Sequence, residues 1–116
     1  MRELSELPNC PVEISIAIIG DKWKFLIIRE LVRAKGSKLR FSEIKNGINK
    51  ISDKMLSQNL KCLENDGIIS KKIYKSVPVK VEYSLTELGQ TLVPVIRSLY
   101  DWGILYKHEI EESKNE

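Results

Sequence analysis

Apolar positions along this chain follow two rhythms, and the change from one to the other falls at Gly67. From Ile51 to Gly67, Leu56, Leu60 and Leu63 recur at helical spacing. At about 100° per residue they fall in one narrow stripe. Ser52 is placed to cap the first free amides. Ile51 and Leu56 form a hydrophobic staple across the helix start, and Gly67 supplies the left-handed residue that closes the last turn. Beyond it the period drops to two. Ile68–Tyr74 and Val79–Leu85 both alternate, with Val79, Val81, Tyr83 and Leu85 on one face, about a turn at Lys75-Ser76-Val77-Pro78. That pattern predicts a two-stranded hairpin.

Upstream, residues 1–9 read as a flexible arm. Cys10-Pro11-Val12-Glu13 opens a helix, with proline tolerated in the first turn. Val12, Ile14, Ile16, Ala17, Ile18 and Ile19 make that helix apolar nearly all round before Gly20 ends it. Asp21 starts a second helix over 22–33, with Trp23, Leu26, Ile27 and Leu31 facing the core and Phe25 and Ile28 widening the stripe. Lys38-Leu39-Arg40-Phe41 is extended and able to add a third strand. Ser42 caps a brief third helix over 43–46 that packs through Ile44, and 47–50 turn into the helix at 51–67. Two short helices joined this way are a helix-turn-helix unit, and the hairpin that follows is its wing.

Downstream, Thr86 caps a last helix reaching about Glu112, kinked by Pro94. Leu88, Leu92, Val95, Leu99, Trp102, Tyr106 and Ile110 form one stripe, expected to pack on the domain. Val93, Ile96, Tyr100 and Ile104 form a second, about 100° away. A helix of roughly 40 Å with two apolar faces asks for a second subunit, or for the N-terminal arm to bury the second stripe, which would leave a monomer. The expected interface joins the first and last helices of two copies through Ile16, Ile19, Val93, Ile96, Tyr100 and Ile104. The fold class is therefore α+β: a winged helix-turn-helix with N- and C-terminal dimerisation helices. It forms one domain over 10–112, with a frayed tail at 113–116.

Charge adds a direction. The formal net charge is only +3, but Lys45 to Lys80 holds eight lysines against Asp53, Glu64 and Asp66, whereas Asp101 to Glu116 holds two lysines against five acids. A basic middle points to a docked polyanion. Opposite its leucine stripe the helix at 51–67 carries Lys54, Ser57, Gln58, Lys61 and Asn65, and no acid. Such a face suits a DNA major groove, where amides pair with base edges and ammonium groups meet phosphates. An ordinary amphipathic surface helix has a similar polar face; the basic hairpin that follows favours DNA. Ser52, Lys54, Ser57, Gln58 and Lys61 are the candidate groove residues, and Lys72, Lys75 and Lys80 the candidate wing contacts to phosphate.

The order of motifs resembles the HxlR family of bacterial winged-helix transcriptional regulators, relatives of the MarR type. The matching pieces are Cys10-Pro11-Val12-Glu13, Ile19-Gly20-Asp21-Lys22-Trp23-Lys24, Arg40-Phe41-Ser42-Glu43-Ile44, Ile51-Ser52-Asp53-Lys54-Met55-Leu56, Leu63-Glu64-Asn65-Asp66-Gly67, Val81 through Gly89, and Trp102-Gly103. The resemblance covers roughly residues 10–103. It implies a homodimer on a pseudo-palindromic operator, in a family many of whose members regulate neighbouring genes in response to electrophiles or oxidants. Asp21 departs from the glycine most members carry there.

Cys10 stands at a helix start, where free amides favour negative charge and Glu13 opposes it. A reactive sensor, reached by a small oxidant or electrophile, and a small capping or packing residue both remain open; the resemblance favours the sensor. Cys62 is expected to be a buried, inert thiol. Trp23 and Trp102 read as core or interface residues, and Tyr74 as either a phosphate contact or hairpin packing. Three functions compete: a DNA-binding regulator, a winged helix used as a protein-interaction module, and a thiol enzyme acting through Cys10. Against the enzyme, His108 is the only histidine, and no catalytic, metal-ligand or phosphate-loop constellation appears. No catalytic residue, metal or cofactor is expected. The expected partners are double-stranded DNA and a second copy. With two cysteines, no signal peptide and no run long enough to span a membrane, the chain reads as cytoplasmic.

Overall fold

Capping sets the frame. In the computed structural model, which describes residues 1–114, helix α1 spans Pro11–Ile19 and α2 Lys22–Arg33. The Asp21 carboxylate accepts from the Trp23 and Lys24 amides at the head of α2. Helix α3 (Phe41–Gly47) begins two residues earlier than the serine suggested. Arg40 is the capping position, its amide bonded to the Glu43 carboxylate at 2.8 Å, and Ser42 lies inside the first turn. Helix α4 spans Asp53–Asn65, and the Ser52 hydroxyl accepts from the Met55 amide at 3.1 Å. Gly67 adopts φ +77° immediately after α4, a conformation L side chains rarely take.

The core lies where α2, α3 and α4 cross. Ile27, Ile28 and Leu31 of α2 meet Ile44 of α3, Ile48 and Ile51 of the turn, and Leu56, Leu60 and Leu63 of α4. Strands β1 (Ile69–Tyr74) and β2 (Lys80–Leu85) form the antiparallel hairpin, with Ile69 opposite Leu85 and Tyr74 opposite Lys80. Ile68, Ile69 and Tyr83 seat its base in the core. Leu39 adds a single bridge of third strand, exchanging two backbone bonds with Tyr83 at 2.8 and 2.9 Å.

Three expectations change. The N-terminal segment is tied down: Leu4–Glu6 makes a 3-10 turn, and Arg2 pairs with Asp66 at the end of α4. The last helix is two helices, not one kinked at Pro94. Thr86 caps the short α5 (Glu87–Gln90), the chain breaks at Thr91-Leu92, and α6 runs from Val93 to Lys114. The break re-aims α6, so that neither apolar stripe packs on the domain along its whole length. Leu92 and Ile96 reach the core, while Val95, Leu99, Trp102, Tyr106 and Ile110, expected to pack on the domain, are exposed. The frayed tail expected at 113–116 is helical through Lys114, and its last two residues lie outside the described ones.

Candidate nucleic-acid interface

The leucine stripe that fixes α4 against α2 turns its opposite face outward. Lys54, Ser57, Gln58 and Lys61 are all exposed there, as is Ser52 at the cap. Asn59 is buried and donates its amide to the Met55 carbonyl at 2.8 Å, so it is spent on the helix itself. Asp53 would put a negative charge at the groove edge, but Lys45 of α3 pairs with it. Lys50, just before α4, holds a left-handed backbone with φ +65°, which sets the sharp turn between the two helices.

Alternation sorts the wing lysines onto two faces. Lys71 lies opposite Tyr83, on the inward face, and borders a groove of about 320 Å³ between wing and α4 with Ser57, Lys61 and Glu64. Lys72 and Lys80 lie on the outward face, their ammonium groups 5.0 and 5.1 Å from the centre of the Tyr74 ring. Tyr74 is thus occupied within the hairpin. Lys80 is also 3.6 Å from Glu82. The Glu82 carboxyl is held below its usual range, chiefly by a hydrogen bond from Tyr74 and also by Lys80 and Lys38, with partial burial pulling the other way. Among the described residues Lys72 and Lys75 pair with no carboxylate, whereas Lys80 is partly neutralised by Glu82. Lys71 was missed as a candidate. Its register opposite the buried Tyr83 is the signal that brings it beside α4.

Cys10 caps α1 through its backbone only, with an exposed thiol that makes no capping hydrogen bond. Cys62 is exposed too, contrary to the buried thiol expected; it falls on the flank of α4 that no neighbouring element covers. Ile19, expected at a dimer interface, is 5% exposed and belongs to the core of its own domain, because α1 leans that end onto α2. Ile16, Tyr100 and Ile104 are exposed, together with Val12 and Trp102, and Val93 and Ile96 are half-buried. Trp102 and Tyr106 stack on each other with centroids 5.3 Å apart. Among the described residues no helix is long and apolar enough to cross a membrane.

Residues 18–111 match the model of the HxlR-like helix-turn-helix family. The chain belongs to that family. It is 46% identical over 107 residues to YdeP, an HTH-type transcriptional regulator of Bacillus subtilis, a match covering 92% of this chain and 81% of that protein. Among solved structures, the redox regulator HypR in its reduced form superposes with a TM-score of 0.80 at 38% identity, over 89% of this chain and 99% of HypR. Diamide-treated YodB of Bacillus subtilis gives 0.67 at 37% identity, over 84% of this chain and 94% of YodB. The winged helix-turn-helix described above is the fold these regulators share.

Proposed function

We propose that this protein is a sequence-specific DNA-binding transcriptional regulator that acts as a homodimer on a pseudo-palindromic operator and answers oxidants or electrophiles through Cys10. One observation carries the DNA reading: α4 is anchored by its leucines and capped by Ser52, so it presents a rigid outer face of Lys54, Ser57, Gln58 and Lys61, with Lys71 of the wing beside it. A helix of this kind fits the major groove, and a wing bearing Lys72 and Lys75 lies along the flanking backbone.

The dimer reading rests on apolar surface left uncovered. Val12 and Ile16 on α1, and Tyr100, Trp102 and Ile104 on α6, are all more than half exposed. Exposed apolar surface on both helices supports an interface, and a two-fold axis through it would set two α4 helices on one face of the pair. The sensor reading rests on the exposed thiol at the head of α1 and on likeness to HypR and to YodB treated with diamide. Footprinting on the DNA upstream of the gene, with and without diamide, tests the whole. The expected result is a protected inverted repeat that diamide releases in the wild type and not in Cys10→Ser. An unprotected region refutes the regulator. Equal release of Cys10→Ser refutes the sensor alone.

A further inference from the structure

The N-terminal segment crosses the junction between α4 and the wing. Leu7 and Pro8 are half-buried and the chain bends at Asn9 and Cys10, so residues 1–9 fold back along α1. Arg2 reaches Ala17 near the far end of α1 and Asp66 at the end of α4. Met1 lies over Gly67: a Cβ on that glycine would come 3.2 Å from Met1 Cγ. The residues so covered close α4 and open the hairpin. The Asp66 amide bonds the Cys62 carbonyl, the Gly67 amide that of Glu64 and the Ile68 amide that of Leu63, the pattern of a Schellman end. Strand β1 starts at the next residue, Ile69. Asp66 is 8% exposed, and its carboxylate stands at the negative end of α4, where the helix dipole disfavours it without a cation. Arg2 is the cation bonded to it.

Resting on the regulator reading above, we propose that residues 1–8 are a strap and that Arg2 is a positioning residue for DNA binding: by holding Asp66 it fixes the angle between α4 and the wing without touching DNA. The groove face of α4 begins at Ser52 and Lys54, roughly 20 Å along the helix from Asp66. Arg2 therefore stands at the opposite end of α4 from its first groove residues. Without Arg2 the Asp66 carboxylate is left buried and unpaired, and the last turn of α4 has to open to hydrate it. Gly67 and Ile68 follow, because both belong to that turn, and they carry the start of β1 with them. A wing moved from its angle cannot meet backbone phosphates while α4 is seated in the groove. The strap thus decides whether phosphate contacts by the wing and base contacts by α4 are made together.

The test uses the full-length protein and an operator duplex selected from random sequence, at a temperature where urea curves show every variant folded. Arg2→Ala and Asp66→Ala should each lose affinity on the order of tenfold. Asp66→Ala makes the chain more positive, which alone would tighten binding to DNA, so a loss there comes from position. Arg2→Lys, which keeps a cation against Asp66, should restore most of the affinity. The salt slope gives a readout that a merely stabilising contact would not move. Lys75→Ala should lower the slope by about 0.9 in the wild type and by much less in Arg2→Ala, whose wing is already displaced. Wild-type affinity in Asp66→Ala overturns the proposal; a loss confined to Arg2→Ala would mean that Arg2 touches DNA itself. The full wild-type effect of Lys75→Ala in the Arg2→Ala background overturns it too. If the wild type selects no duplex, the regulator reading fails, and amide exchange without DNA judges the strap on its own. Gly67 and Ile68 should then exchange on the order of tenfold faster in both alanine variants while Ile27 is unchanged; unaltered exchange at Gly67 and Ile68 overturns the strap.

Discussion

The guanidinium of Arg2 holds Asp66 by two bonds, at 3.1 and 3.4 Å, and also donates to the Ala17 carbonyl at 3.3 Å. One side chain, 64 residues from Asp66 in sequence, therefore ties the end of α4 to α1. Asp66 is nearly buried while Arg2 keeps a third of its surface in water, so solvent screens the pair from one side. Arg2→Ala should cost about 1–2 kcal/mol, because it leaves a buried carboxylate without its partner. Urea unfolding of Arg2→Ala, Asp66→Ala and the double variant measures it. Additive losses would mean that the two residues do not couple.

Gln58→Ala should relax preference at one or two base positions, costing about 1–3 kcal/mol at the preferred sequence if the amide contact is bidentate. Competition between operator and random DNA reads this directly. An unchanged ratio removes Gln58 from the readers.

The wing lysines should not be equivalent. Lys72→Ala and Lys75→Ala are each expected to lower the slope of log affinity against log salt by about 0.9. Lys80→Ala should lower it less, because its ammonium is shared with Glu82. A Lys80→Ala slope equal to that of Lys75→Ala would show that Glu82 does not withhold the charge.

Tyr100→Glu with Ile104→Glu should split the dimer without unfolding the chain, since both residues are exposed on α6. Light scattering is expected to give twice the 13.4 kDa chain mass for the wild type and the single mass for the variant. A wild type at the single mass would contradict the assembly.

Tyr83 sets an alkaline limit. Burial and the nearby Glu64 carboxylate raise its pKa above the ordinary 10.0. A raised value means that its stabilisation is complete below pH 10.0 and is lost as pH climbs through the folded value. Tyr83→Phe should therefore show a flatter fall in stability as pH rises above 10.0. Denaturant midpoints at several pH values decide it, and parallel curves would place the alkaline loss elsewhere.

Much of this was legible from spacing alone. The leucines of α4, its serine cap and the left-handed Gly67 carry their own local signals, and the alternation of 79–85 gives the hairpin. What periodicity did not give was direction in three dimensions. Ile19 and Ile16 look alike on an apolar helix, yet one is core and the other surface, depending on how α1 leans on α2. The α5–α6 break escaped notice because no proline or glycine stands at Thr91-Leu92, and it left most of the stripe expected to pack on the domain exposed. Arg2 carried no signal, because its partner lies far along the chain. Lys71 and Lys72 are neighbours in sequence and face opposite ways, which only the register with Tyr83 and Glu82 separates.

Gly89 sits so close over the start of the wing that a Cβ there would come 2.1 Å from the Ile68 carbonyl oxygen. The Thr86 hydroxyl, besides capping α5, donates to the Gly67 carbonyl at 2.6 Å. The short α5 that leads into the long C-terminal helix and the root of the hairpin are thus bolted to the same two peptide groups. A tilt of α6 large enough to move α5 must carry the wing with it, as two arms of one lever pivoting on Gly67 and Ile68. In the proposed dimer, whatever changes the angle at which the two copies meet would in this way reset the span between their wings, with no change in any of the proposed DNA contacts.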